Sequence, residues 1–137
     1  MRKRLHPAAL RDERGATVVE FAFIVPLLIV LVLGIAEFGH AFQVSGTLSA
    51  AAREGVRVMA LQNDRAAAIA AARSAAPSLK PALTAGEISI PTTCPPPGPG
   101  TQSATVQLSI DYPMPFLTGF FGSSITLHGT GVMRCNG

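Results

Sequence analysis

Tryptophan is absent from this chain of 137 residues, tyrosine occurs once, cysteine twice and histidine three times. Charge is scarce too: Asp, Glu, Lys and Arg make up 14% of the residues, about half of the usual ~25%. With so few aromatics of the stacking kind, platforms for nucleic-acid bases are poorly supplied. His6, His40 and His128 are scattered along the chain, and no Ser/His/Asp, Cys/His or paired-carboxylate grouping recurs at a useful spacing. No glycine-rich phosphate loop opens a helix, and two cysteines without a nearby histidine argue against a metal site. The expectation is a non-enzymatic chain with no cofactor, no metal, no small-molecule substrate and no nucleic-acid partner.

The charge that is present is unevenly placed. Arg2, Lys3, Arg4, Arg11 and Arg14 face only Asp12 and Glu13 in residues 1–15, so this tail carries the whole net charge of +3. The pI of 9.4 therefore describes a short basic leader rather than a binding face. Hydrophobic residues reach 48%, which excludes global disorder.

That apolar excess is concentrated in one run. Phe21–Ala36 is sixteen residues without a charge, and residues 16–38 extend it to 23 positions, about 34 Å of helix. A ~30 Å hydrocarbon core needs about that length. A soluble core helix is the weaker reading, because little else in the chain is apolar enough to wrap it on every side. A cleavable secretory signal ending at Gly39-His40-Ala41 would have an apolar region longer than the usual 7–15 residues. The expectation is a membrane-spanning helix over 16–38, with Glu37 at its outer boundary. Five basic residues precede the span and the next one is Arg53, so the positive-inside rule places 1–15 in the cytoplasm and 39–137 outside.

Helical patterning continues past the span. Phe38, Phe42, Ser45, Leu48, Ala52, Val56 and Met59 recur at steps of three and four, the spacing of one helix face. Gly55 within this stretch marks either a close backbone approach or a tolerated defect. Residues 50–76 contain twelve alanines, the best helix formers. Asn63-Asp64 interrupts them, and Asp64 is a suitable N-cap for a second helix over 65–76, ended by Pro77. Glu87–Ile90 then alternates with period two, residues 103–111 alternate most cleanly, and 124–134 alternates less cleanly. Pro95–Gly100 consists entirely of Pro and Gly and fits neither helix nor central strand, and 112–122 reads as a loop. Three strands with one apolar face need helical cover. The fold class is α+β: a long N-terminal transmembrane helix continuing outside the membrane, a short second helix, then a small three-stranded antiparallel sheet.

Cys94 and Cys135 fall outside the membrane on this topology, where an even count favours a disulfide over two free thiols. The segment at 14–21 combines a basic flank, Gly15, and a carboxylate, Glu20, already inside the apolar run. A charge within a span is costly unless paired. A cut after Gly15 would leave the amino group of Ala16 one helical turn from Glu20, and the two charges could neutralise each other. The same spacing also serves an ordinary signal anchor whose Glu20 snorkels to the cytoplasmic interface.

The run G-A-T-V-V-E-F-A-F-I-V-P-L-L from Gly15, with A-A-R-E-G-V-R at 51–57, resembles the TadE-like proteins of bacterial tight-adherence (Flp pilus) systems. The tail segments 104–116 and 125–135 are similar to that family's terminal strands. The resemblance implies a pseudopilin-like minor pilin of the bacterial inner membrane, cut by a prepilin peptidase. Gly15, Ala16 and Glu20 stand where the family has its processing site. Its implied partners are the bilayer, the prepilin peptidase, other pilin or pseudopilin subunits and Tad assembly proteins. The contrasting expectation is a membrane-anchored binding or adhesion module unconnected with pilus assembly.

Overall fold

The computed structural model describes residues 9–96, 98–99 and 104–135, with side chains from residue 15 onward. The elements are α1 (Ala9–Gln62), α2 (Arg65–Ser74), a 3-10 turn (Ala85–Glu87), β1 (Ile88–Ser89), β2 (Thr105–Pro115) and β3 (Ser124–Arg134). The sheet is antiparallel in the order β1-β2-β3. The chain is thus α+β, with a long N-terminal apolar helix, a short second helix and a three-stranded sheet. It divides between Glu37 and Phe38 into two units. Most of the basic leader expected over 1–15 lies outside the described residues; from Ala9 its backbone is helical.

The first unit is helical throughout its described residues. Its apolar side chains face outward: Val18, Phe21, Phe23, Leu27, Leu31 and Ile35 are all at least half exposed. An apolar helix that keeps such side chains on its outside has no protein core to enter.

The second unit has a core. From α1 it takes Leu48, Ala51, Ala52, Val56 and Met59; from α2, Ala68 and Ala72; from β2, Val106, Leu108, Ile110, Tyr112 and Met114. The helix face expected from the spacing is corrected at its start, since Phe38 and Phe42 are 70% and 71% exposed. Two successive steps of three, from Phe42 to Ser45 to Leu48, rotate the face by about 120° at 100° per residue. The buried line instead enters through Val44.

Close backbone contact sets how the layers meet. A Cβ on Gly129 would lie 2.8 Å from the Leu48 backbone, and one on Gly131 would lie 2.6 Å from the Ala52 carbonyl oxygen. The two strand glycines therefore let β3 lie directly on α1. Gly55 is a close approach and not a tolerated defect, because a Cβ there would stand 2.7 Å from Leu108 and 2.9 Å from the Ala72 Cβ.

Between the helices, Asn63 and Asp64 divide the work. Asn63 takes the left-handed conformation, φ 50°, and its N–H donates to the Met59 carbonyl at 2.9 Å, closing α1. Asp64 Oδ1 accepts from the N–H groups of Ala66 and Ala67 at 2.9 and 3.1 Å, opening α2. The second helix ends at Ser74 rather than at 76.

Two strand expectations change. The strand read over 87–90 shrinks to Ile88–Ser89, because Glu87 Oε2 turns back to accept from Thr84 N–H and Oγ1 at 2.7 and 2.9 Å. The strand read over 103–111 runs on to Pro115, into the residues read as loop; Ser103 lies outside the described residues. The Phe116 N–H donates to Ser123 across the hairpin, so odd-numbered residues of β2 point their nitrogens away from β3. Pro113 and Pro115 thus remove no bond from that ladder, and β1 has already ended at that end of β2.

Candidate processing site and membrane segment

The candidate site is a stretch of helix surface. Gly15, Ala16 and Glu20 all lie within α1 and all are exposed. A Cβ at Gly15 would meet nothing within 4 Å, so packing does not explain the glycine. Ala16 and Glu20 are four residues apart, one turn and about 6 Å along the axis. A cut between Gly15 and Ala16 would therefore place a new ammonium group within reach of the carboxylate on the same helix face.

Downstream, the same helix carries the apolar stretch. Its most apolar 18-residue window has no share buried within the protein. A single long apolar helix near the N-terminus, with its large side chains on the outside, fits a single-pass membrane protein. Glu37, the expected outer boundary, is buried, with 5% of its surface exposed.

The A-A-R-E-G-V-R segment lies on α1 in the second unit. Ala51, Ala52, Gly55 and Val56 face the core. Arg57 reaches back to Glu54, with its Nη2 2.7 Å from Oε1 and its Nε donating to Oε2 at 3.1 Å. The hydrogen bonds and charge of Arg57 hold the Glu54 carboxyl below its ordinary value. Small residues on one side and an exposed ion pair on the other make this segment a packing surface.

Cys94 lies in the irregular segment between α2 and β2, and Cys135 directly follows β3. Cys94 and Cys135 are bonded, with Cα atoms 5.5 Å apart. The Asn63 side chain holds the same place, donating from Nδ2 to the Cys94 carbonyl at 3.1 Å and accepting the Cys94 N–H at 3.0 Å. Asn63 is legible in the sequence only as a helix interruption; its pairing with residue 94 has no local signal.

Across the sheet, His128 Nδ1 and Asp111 Oδ1 lie 2.6 Å apart, both exposed. Among the described residues no group of three or more His, Cys, Asp or Glu side chains is arranged to hold a metal ion.

Residues 15–57 match the family model described as TadE-like protein, the family the sequence resembles. The match begins at Gly15, covers the apolar stretch and ends at Arg57. No curated protein and no solved structure matches the chain.

Proposed function

We propose that this chain is a non-enzymatic, pseudopilin-like component of a bacterial Tad/Flp-type pilus assembly, anchored by a single span in the inner membrane. Its N-terminus faces the cytoplasm, and a prepilin peptidase cuts it after Gly15. One observation carries the reading: the family match starts at the exposed Gly15 of a helix whose next 23 residues are almost wholly apolar. The partners on this reading are the peptidase, other pilin-like subunits and the Tad assembly proteins.

The chemistry of assembly follows from the cut. Before it, the apolar span anchors the chain and the basic leader fixes its orientation. After it, the Ala16 ammonium and the Glu20 carboxylate lie close to each other at the membrane edge, within one subunit or between neighbours. Pairing offsets the cost of keeping both charges there. Glu20 then serves assembly more than folding, as its exposure allows.

N-terminal sequencing of the chain co-expressed with a prepilin peptidase tests this. The expected mature protein begins at Ala16. Gly15→Val blocks the cut, since a β-branched side chain crowds the cleavage position, while Glu20→Ala is still cut and assembles poorly. A wild-type protein that still begins at Met1 would overturn the processing claim.

A further inference from the structure

We infer that the β2–β3 hairpin tip is a membrane-interface wedge: Leu117, Phe120 and Phe121 dip into the headgroup region of the leaflet from which the chain emerges. The inference rests on the reading that α1 spans a bilayer; it needs neither processing nor a pilus.

The tip is apolar, exposed and free of charge. Leu117, Phe120 and Phe121 are 61%, 63% and 46% exposed. From Tyr112 to Met133 the chain has no Asp, Glu, Lys or Arg, so the hairpin itself carries no full charge into lipid. Lys80, which lines a cleft with Phe116 and Leu117, is a cation whose long stem lets it stay at the headgroup level. Gly119 and Gly122 take positive φ, 66° and 125°, and this turn holds the rings outside the sheet. Phe120 and Phe121 pack edge to face, with centroids 5.4 Å apart. The tip's backbone is partly bonded to itself, from Phe116 N–H to Ser123 and from Gly122 N–H to Gly119. That suits shallow, interfacial insertion; hydrocarbon depth would demand that every group be paired.

Position selects lipid as the partner. On the second unit's part of α1, Gly129 meets Leu48 and Gly131 meets Ala52, so lower residue numbers on β3 match lower numbers on the helix. Ser124 lies five residues before Gly129, about 17 Å along the strand, or about eleven helical residues. The start of β3 and the adjoining tip therefore reach the Phe38 end of the helix, where the chain enters this unit from the apolar stretch. A cleft of about 420 Å³ confirms the placement, because His40 and Val44 line it together with Met114, Phe116 and Leu117. Phe38, Phe42, Leu117, Phe120, Phe121 and Ile125 are six of the eight large exposed apolar residues among the described residues of this unit. Only Leu61 and Val132 lie elsewhere. Exposed apolar side chains gathered at one end mark an interaction surface, and Phe and Leu side chains bury shallowly at the boundary between headgroups and acyl chains.

The absence of tryptophan makes the test direct. Single Phe120→Trp and Phe121→Trp variants of the full chain are placed in phosphatidylcholine vesicles containing brominated lipids, beside Phe23→Trp in the apolar stretch and Val132→Trp at the other end of β3. The expected result is Phe120→Trp emission at shorter wavelength than that of Val132→Trp. Bromines near the headgroup should quench it more than bromines at the chain end, with Phe121→Trp behaving alike. Phe120→Trp and Phe121→Trp emissions as red as that of Val132→Trp overturn the inference. So does blue emission that lipid bromines do not quench, which would mean that a protein surface covers the tip. Either result with Phe23→Trp quenched leaves the span intact, whereas loss of quenching at Phe23→Trp as well removes the span and the wedge together.

Discussion

Single residues decide how near the layers of the second unit come. Gly131 is the sharpest case, because a Cβ would stand 2.6 Å from the backbone oxygen of Ala52, which no side-chain rotation can relieve. Gly131→Ala is expected to cost about 1–3 kcal/mol, the usual range for overpacking, read as a lowered midpoint in denaturant titration of the detergent-solubilised chain. Tyr112 supplies the pH dependence. Its ring is buried in the core, and its hydroxyl donates to the Pro81 carbonyl at 2.7 Å. Burial first, and then the Glu87 charge, raise its pKa above the ordinary value of 10.0. A raised folded-state value means that this stabilisation is complete below the unfolded-state value, near pH 10, and is lost as pH climbs through the folded-state one. Tyr112→Phe is therefore expected to lower stability by about 1 kcal/mol near neutral pH and to flatten the alkaline limb of a melting-temperature profile.

At the scale of elements, the irregular segment after α2 is held from outside itself. Arg73 Nε donates to the Leu83 carbonyl at 2.9 Å, Arg65 Nη1 to the Ile90 carbonyl at 3.1 Å, and Asn63 exchanges two bonds with Cys94. The Cys94–Cys135 bond closes a sequence separation of 41 residues, and loop-closure entropy gives such a bridge a worth of about 4 kcal/mol. Cys94→Ser with Cys135→Ser is expected to lower stability by an amount of that order, read as a lower melting temperature. Mass mapping without reduction should show the two native peptides linked, and quantitative alkylation of both thiols in freshly isolated protein would count against the bridge. The extent of β2 belongs to this scale as well. Pro113 and Pro115 make 112–115 read as loop, yet they stand where their missing donors are not needed. That depends on which edge of β2 is covered, and no local pattern records it.

For the whole molecule, the charge asymmetry about the apolar run predicts orientation. A reporter active only in the cytoplasm, fused after Gly137, should be silent, and activity there would reverse the assigned topology. Much else was legible before any tertiary contact. The apolar run, the cap at Asp64 and the alternation along β2 are all local, set by periodicity and backbone chemistry within a few residues. What the tertiary structure alone decided is where surfaces meet. Phe38 and Phe42 belong to the apolar spacing yet face outward, because two short steps turn the helix before the sheet covers it. Gly55, Gly129 and Gly131 look like weaknesses in their own elements and are the places where two elements touch. The uncharged stretch from Tyr112 to Met133 is plain in the chain, but only the pairing of β3 against α1 brings its tip to the Phe38 end of the helix. Packing joins residues far apart in sequence, so its requirements leave small residues and odd exposures whose meaning no local pattern contains.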